Sequence, residues 1–332
     1  MQDYKNSNSI YMKYHDENLS NYSFLVTGGA GFIGSNLVEY LLRNKAGHVR
    51  VLDNLSNGYF ENISEFMGNP NFEFILGDIR DIETCHKVVK DINFISHQAA
   101  LGSVPRSIKD PITTNAVNVN GFLNMLFASY ESKSLINFVY AASSSTYGNS
   151  NKIPKIEGEE GAPLSPYAVT KLVNEIYADV FFKVYNFKTI GLRYFNVFGP
   201  KQNPNNPYAA VIPLFCKAFK DGFSPTIYGD GTNSRDFTFV ENVIQANIKS
   251  LFKYNFNKNE IFNVACGEQT TLNEVINFLC EISNKKIQAS YKEHRIGDVS
   301  HSLASISKIQ KELGYNPSVK FKEGLKKVYE CY

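Results

Sequence analysis

Tyr22-Ser-Phe-Leu-Val-Thr-Gly-Gly-Ala-Gly-Phe-Ile-Gly34 passes from an apolar run into four glycines and on into Ser35-Asn-Leu-Val-Glu-Tyr-Leu-Leu-Arg43. The apolar run predicts a buried strand and the stretch to Arg43 a helix, so the glycines fall at a strand-to-helix turn. Gly28, Gly31 and Gly34 are spaced G-x-x-G-x-x-G. Such glycines allow a tight turn and a close backbone approach to a pyrophosphate, with the free amides of the helix N-terminus facing the anion. Glycines alone also suit an ordinary turn; the strand before and the helix after favour the phosphate-binding reading. A second strand, His48-Val-Arg-Val-Leu52, runs into Asp53, 19 residues beyond Gly34, where a carboxylate would hydrogen-bond the adenosine ribose. Residues 54–57 are Asn-Leu-Ser-Asn, without an arginine for a 2′-phosphate, which favours NAD over NADP. Asp78, after a third strand Phe72–Leu76, reads equally as an adenine contact or a solvated loop acid.

The alternation continues with helices near 82–90, 113–129 and 166–185 and strands at Phe94–His97 and Phe138–Ala142. Strand and helix in turn at this spacing predict an α/β fold, a Rossmann-type doubly wound parallel sheet. Beyond Phe195 the chain becomes less regular, with a Pro- and Asn-rich loop at Gly199–Tyr208. The expected organisation is a polar arm over 1–20, a dinucleotide domain over 21–195 and a smaller α/β substrate-binding domain over 196–332. The chain is expected to re-enter the first domain around 236–266.

Composition narrows the function. With 34 basic and 32 acidic residues the net charge is +2, which argues against nucleic acid or an anionic membrane as the main partner. No run of about 18 apolar residues offers a membrane span. The first twenty residues lack the apolar centre of a signal peptide. Cys85, Cys216, Cys266, Cys280 and Cys331 form no C-x-x-C pair and suit free thiols in a reducing cytoplasm. No cluster with metal-ligand spacing is present, so no metal is expected.

Tyr167 and Lys171 form Y-x-x-x-K. Among 20 tyrosines, about one or two such pairs arise by chance, and Tyr254 with Lys258 is another. Context separates them: Ser165-Pro166 is a good helix start, which sets Tyr167 and Lys171 one turn apart on one face. Upstream, Ala141-Ala-Ser-Ser-Ser-Thr-Tyr-Gly148 leaves a strand in a cluster of hydroxyls. A tyrosine acting as base near neutrality needs its pKa lowered by roughly three units, about 4 kcal/mol. The Lys171 ammonium and a cationic nicotinamide would both favour the phenolate, while Ser143 holds the substrate oxygen. This constellation suits hydride removal from a carbinol carbon.

From about Tyr22 onward the sequence resembles the extended short-chain dehydrogenase/reductases, and among them the bacterial UDP-N-acetylhexosamine 4-epimerases. The resemblance rests on Thr27–Gly34, His97-Gln-Ala-Ala100, Leu101-Gly-Ser-Val-Pro-Arg-Ser107, Ser143–Gly148, Tyr167–Lys171, Arg193-Tyr-Phe-Asn196, Arg235-Asp-Phe237 and Arg295-Ile-Gly-Asp298. It implies catalysis by Tyr167, Lys171 and Ser143. It implies a recycled, tightly held NAD bound by Gly28, Gly31, Phe32, Ile33, Gly34, Asp53, Asn54, Ser56, Asp78, Ile79, Gln98, Ala99, Ala100, Tyr167 and Lys171. The family's 4,6-dehydratases carry Asp-Glu after the catalytic hydroxyl residue. Here Ser144 and Ser145 stand there, and neither can protonate a leaving 6-hydroxyl, which disfavours dehydration.

On the substrate side the resemblance assigns Arg235 and Arg295 to the diphosphate, a role suited to a forked, permanently charged guanidinium. Asn196 would add an amide contact. Ala210, Val211 and Tyr228 would line the nucleobase and ribose pocket, and Asp298 would hold the ribose hydroxyls. Ser302 occupies the gate against the sugar's C2 substituent, where a small residue leaves room for an N-acetyl group. Ser103, Ser144 and Ser145 would contact that group, and Ser143 and Tyr167 the sugar's 4-hydroxyl.

The activity expected is reversible C4 epimerisation of UDP-N-acetylglucosamine and UDP-N-acetylgalactosamine, with polysaccharide synthesis a natural use. Similar sequences act on the C6-oxidised uronic acids, and no residue here separates the two; UDP-glucose and UDP-galactose are further alternatives. A non-catalytic NAD(H) sensor on the same fold could dispense with Tyr167 and Lys171. By resemblance, the helices near 113–129 and 166–185 would pair in a homodimer's four-helix bundle, although their apolar faces could equally be satisfied within one chain.

Overall fold

The computed structural model describes residues 12–206, 208–293 and 301–332. Strand β1 (Ser23–Thr27) lies inside a seven-stranded parallel sheet, and Phe24, Leu25 and Val26 are buried on both of its faces. That is why this stretch reads as a continuous apolar run rather than an alternating one. Helix α1 (Phe32–Arg43) returns the chain to β2 (His48–Asp53), then come β3 (Phe72–Leu76), α2 (Ile82–Val89) and β4 (Phe94–His97). Helices α3 (Val104–Lys109), α4 (Pro111–Asn115) and α5 (Phe122–Glu131) precede β5 (Asn137–Ser143). Helix α6 (Pro166–Tyr185) leads into β6 (Ile190–Tyr194).

The sheet order is β3, β2, β1, β4, β5, β6, followed by the strand Glu260–Val264 beside β6. The chain winds outward in both directions from the β1–β4 junction. Ligands of such sheets bind in the crevice beyond the strand carboxyl ends at that junction.

The long helix expected over 113–129 is present as a continuous run from α4 through α5, but it is not uniform. Between α4 and α5 the turns widen over Ala116–Gly121 into a π-helix. Asn118 in that segment is buried, accepts from the Leu101 amide at 2.8 Å, and donates to the Leu101 carbonyl and the Thr170 hydroxyl at 3.1 Å. A wide turn of this kind re-aims a side chain without ending the helix. Here it ties the loop after β4 to α6. Helix α6 spans the residues the pattern predicts: Ser165 caps it by accepting from the Ala168 amide, Pro166 opens it, and Asn186 ends it in the left-handed conformation.

Past β6 the chain forms α7 (Val211–Asp221) and α8 (Val240–Leu251). Helix α8 packs on α1, β4 and β5, beneath the sheet. Its buried Asn247 accepts from the Ser96 hydroxyl at 3.0 Å and donates to Tyr194 at 2.9 Å. A separate core gathers α7 with the helices Leu272–Ser283 and Phe321–Cys331 around Phe198, Phe215, Phe219 and Phe237, and Phe237 stacks on Phe321. Within the polar arm, Tyr14 is buried, stacks on Tyr40 and donates its hydroxyl to Glu241 at 3.0 Å. No helix among the described residues is long and apolar enough to cross a membrane.

Candidate active site

A single cleft opens at the β1–β4 junction. Each residue named above for NAD lines it, from Gly28 and the first turn of α1 through Asp53, Asn54, Ser56, Asp78, Ile79, Gln98, Ala99 and Ala100 to Tyr167 and Lys171; Ser143 lines it as well. At Gly28 (φ +67°) an added Cβ would lie 2.8 Å from the Ala99 backbone, and at Gly34 it would run into the Gly28 carbonyl. Any side chain there would push the turn away from the sheet. No side chain caps α1 at Gly31, which leaves first-turn amides available to an anion.

Asp53 is buried, which raises its pKa, while its carboxylate accepts from the Leu55 amide at 2.8 Å and the Ala30 amide at 3.0 Å. It thus braces the glycine turn from within, and a carboxylate oxygen with two lone pairs can still receive a ribose hydroxyl. Asp78 is paired rather than merely solvated. The Arg80 guanidinium forks onto it at 2.7 and 3.0 Å, Asn54 donates at 2.8 Å, and the pair holds Asp78 near pKa 2. At the floor, Thr27 shares its hydroxyl with His97 at 2.8 Å and accepts from the Ala99 amide at 3.2 Å. Burial drives the His97 pKa down to about 3, so the ring is neutral. The glycine cradle, the uncapped helix end and the carboxylate at the end of β2 together fit a dinucleotide.

At the other end of the cleft, β5 ends at Ser143, whose hydroxyl caps the 3-10 turn Ser144–Tyr147. It accepts from the Ser145 hydroxyl at 2.9 Å and the Ser145 amide at 3.2 Å. Burial raises the Tyr167 pKa, and the neighbouring Ser143 hydroxyl, which favours the phenolate, only partly offsets it. Lys171 is buried, donates to the Ala141 carbonyl at 2.8 Å, and burial lowers it to about 8, with Glu175 acting against that shift. In the protein alone the Tyr167 pKa therefore moves upward, opposite to the lowering expected from Lys171. A cationic ring in the cleft would act in the opposite direction.

Two contributions lie beyond the sequence pattern. Ser107 accepts the Tyr167 backbone amide at 3.0 Å. Glu175, one turn past Lys171, forms a buried two-point pair with Arg193 at 2.6 and 2.9 Å, and Glu160 also accepts from Arg193. Arg193 was visible in the Arg193–Asn196 motif, but its partner was not.

Of the substrate-side residues, Asn196, Arg235 and Ser302 meet at segment 234–236. Ser302 donates its amide to the Ser234 carbonyl at 3.1 Å, and the short strand Ser234–Arg235 pairs with Thr270–Thr271. Asn196, at positive φ, donates to the Asp236 carbonyl at 3.2 Å. Asp236 itself accepts the amides of Cys266, Gly267 and Ala304, and its burial pushes its pKa up to about 6. Ala210 precedes Val211 at the start of α7. Tyr228 lies apart, around a second cavity with Tyr291, Lys292 and Glu293. Ser103 caps α3 at φ +94° by accepting from the Arg106 amide. Arg295 and Asp298 lie outside the described residues.

Residues 25–328 match the family model described as GDP-mannose 4,6 dehydratase. A putative UDP-glucose 4-epimerase of Methanocaldococcus jannaschii is 37% identical over 308 residues, covering 92% of this chain and 96% of that protein. Among solved structures, the UDP-N-acetylglucosamine 4-epimerase of Methanobrevibacter ruminantium, in complex with UDP-N-acetylmuramic acid, superposes with a TM-score of 0.88 at 37% identity. The match covers 93% of this chain and 97% of that one. The UDP-glucuronic acid 4-epimerase of Bacillus cereus, with UDP-glucuronic acid and NAD, gives 0.86 at 32% identity over 93% and 98%. On the glycine cradle, the Ser143–Tyr167–Lys171 constellation and these matches, the chain belongs to the extended short-chain dehydrogenase/reductase family.

Proposed function

We propose that this protein is an NAD-dependent UDP-sugar 4-epimerase that interconverts UDP-N-acetylglucosamine and UDP-N-acetylgalactosamine. The observation that carries the reading is that Ser143, Tyr167 and Lys171 together line one end of a dinucleotide cleft. The relatives support the coarser part, being 4-epimerases of UDP-glucose, UDP-N-acetylglucosamine and UDP-glucuronic acid by name. The family model carries a dehydratase's name, but Ser144 and Ser145 offer no acid for a leaving hydroxyl.

NAD supplies the oxidant at C4 and returns what it takes, so the cycle has no net redox change. The protein's residues do the rest. Tyr167 accepts the 4-hydroxyl proton while Ser143 holds the same oxygen, which is general base catalysis by a positioned phenol. Lys171 keeps a positive charge behind the pair. Arg235, with Asn196 and the Arg295 segment, holds the diphosphate as the 4-keto sugar turns its other face. Tyr167 then returns the proton to the inverted 4-oxygen.

Residues 21–195 would hold NAD and the catalytic pair, and 196–332 the nucleotide, with 236–266 rejoining the first sheet. The substrate choice rests on Ser302, a small residue that would leave room beside C2; Ser103, Ser144 and Ser145 would contact an acetamido group. Val169, Ile176, Val180 and Val184 form an exposed apolar stripe on α6, and Phe127 and Tyr130 continue it on α5. A second copy would cover that stripe, giving a homodimer. The five free thiols suit a reducing cytoplasm.

The test of the sugar choice is Ser302→Tyr. Turnover of UDP-N-acetylglucosamine is expected to vanish while UDP-glucose turnover survives; unchanged N-acetyl turnover would sink the assignment.

A further inference from the structure

Ser145 has a place in the catalytic hydrogen bonds that differs from a sugar contact. It lies two residues past Ser143 in the 3-10 turn Ser144–Tyr147 and gives the Ser143 oxygen two donors, its hydroxyl at 2.9 Å and its amide at 3.2 Å. A serine hydroxyl has one proton and two lone pairs. With both lone pairs engaged from the Ser145 side, the Ser143 proton is directed away from Ser145, toward the cleft whose lining Ser143 shares with Tyr167. The backbone below is fixed as well, since the buried Thr146 hydroxyl donates to the Ser143 carbonyl at 2.8 Å. The Ser144 hydroxyl, between them, makes no hydrogen bond to another described residue and is available to a ligand.

We infer that Ser145 is a positioning residue that holds the Ser143 hydroxyl as a donor toward the Tyr167 oxygen and the sugar 4-oxygen, for acetylated and plain hexoses alike. This rests on the 4-epimerase reading above. It assigns the two serines different work: Ser144 faces the C2 substituent and Ser145 orders the proton path. Cooperative chains of this kind lose more than one bond when a link is removed, because the next hydroxyl is freed to rotate.

The test compares the NAD-loaded wild type with Ser145→Ala and Ser145→Thr on UDP-N-acetylglucosamine and on UDP-glucose. Ser145→Ala is expected to lose roughly tenfold in kcat with both sugars, the size of one hydrogen bond to a charge-developing group, with KM changed less than about twofold. Ser145→Thr keeps the hydroxyl and is expected to restore most of kcat. A rise in KM confined to UDP-N-acetylglucosamine would overturn the inference in favour of an acetamido contact, and an unchanged kcat would overturn it outright.

A second readout needs no turnover. The tyrosinate absorbance of Tyr167, taken as the difference from Tyr167→Phe, is expected to titrate at higher pH in Ser145→Ala, by about half a unit or more. The groups beyond the phenol, Lys171 with Glu175 and His97 behind it, are left in place by this substitution. If the wild type epimerises neither sugar, the functional reading fails. The titration then still decides the inference, which an unshifted Tyr167 would overturn.

Discussion

The backbone amide of Tyr167 donates to the hydroxyl of Ser107, 3.0 Å away and sixty residues earlier in the chain. Amides in the first turn of a helix have no partner within it, and Ser107 supplies one while donating to the Val104 carbonyl at 2.8 Å. Tyr167 is thereby fastened to α3, the helix capped by Ser103.

Ser107→Ala removes the acceptor without filling its place. The expected loss is about 1–2 kcal/mol of stability and roughly tenfold in kcat, since a small displacement of the reacting group is costly. Retained NAD should be unchanged. Melting temperature, bound cofactor and kcat check this together; wild-type kcat in a destabilised variant would show that the tie is purely structural.

Gly34→Ala places a methyl group against the Gly28 carbonyl inside the cradle. The turn must open, and the first-turn amides of α1 leave the position from which they would meet a pyrophosphate. The variant is expected to purify without NAD, read from its absorbance and from nucleotide released on denaturation. Full NAD content would place the pyrophosphate elsewhere.

Lys171 should give the activity an alkaline limb. Burial lowers it to about 8, so its charge is present below that pH and is lost as pH rises through it. Support for the Tyr167 phenolate goes with the charge, and kcat is expected to fall there. Glu175 raises the Lys171 pKa, so Glu175→Gln should move the limb to lower pH. The check is kcat against pH for both proteins, with folding confirmed by circular dichroism; a limb that stays or moves upward would contradict the assignment.

What could be read from the sequence was local. Ser23–Thr27, the glycine turn and α6 are legible because an apolar run, a cap and a breaker each act within a few residues. The widened turn at Ala116–Gly121 was not, because it accompanies Asn118 reaching Leu101 and Thr170 across the fold. Asp53 was placed at the end of its strand, but its hold on the Ala30 amide appears only when the turn closes. Ser107 and the Glu175–Arg193 pair join residues 60 and 18 apart, and no periodicity carries that information. Lys171 shows a subtler gap: its spacing from Tyr167 was evident, while its bond to the Ala141 carbonyl and its burial were not.

The central claim meets its most direct test when the purified protein is incubated with UDP-N-acetylglucosamine and no added NAD, and the nucleotide sugars are separated. The account predicts UDP-N-acetylgalactosamine approaching an equilibrium mixture, with the corresponding UDP-uronic acid turned over more slowly. No product, even after NAD is supplied, would contradict it.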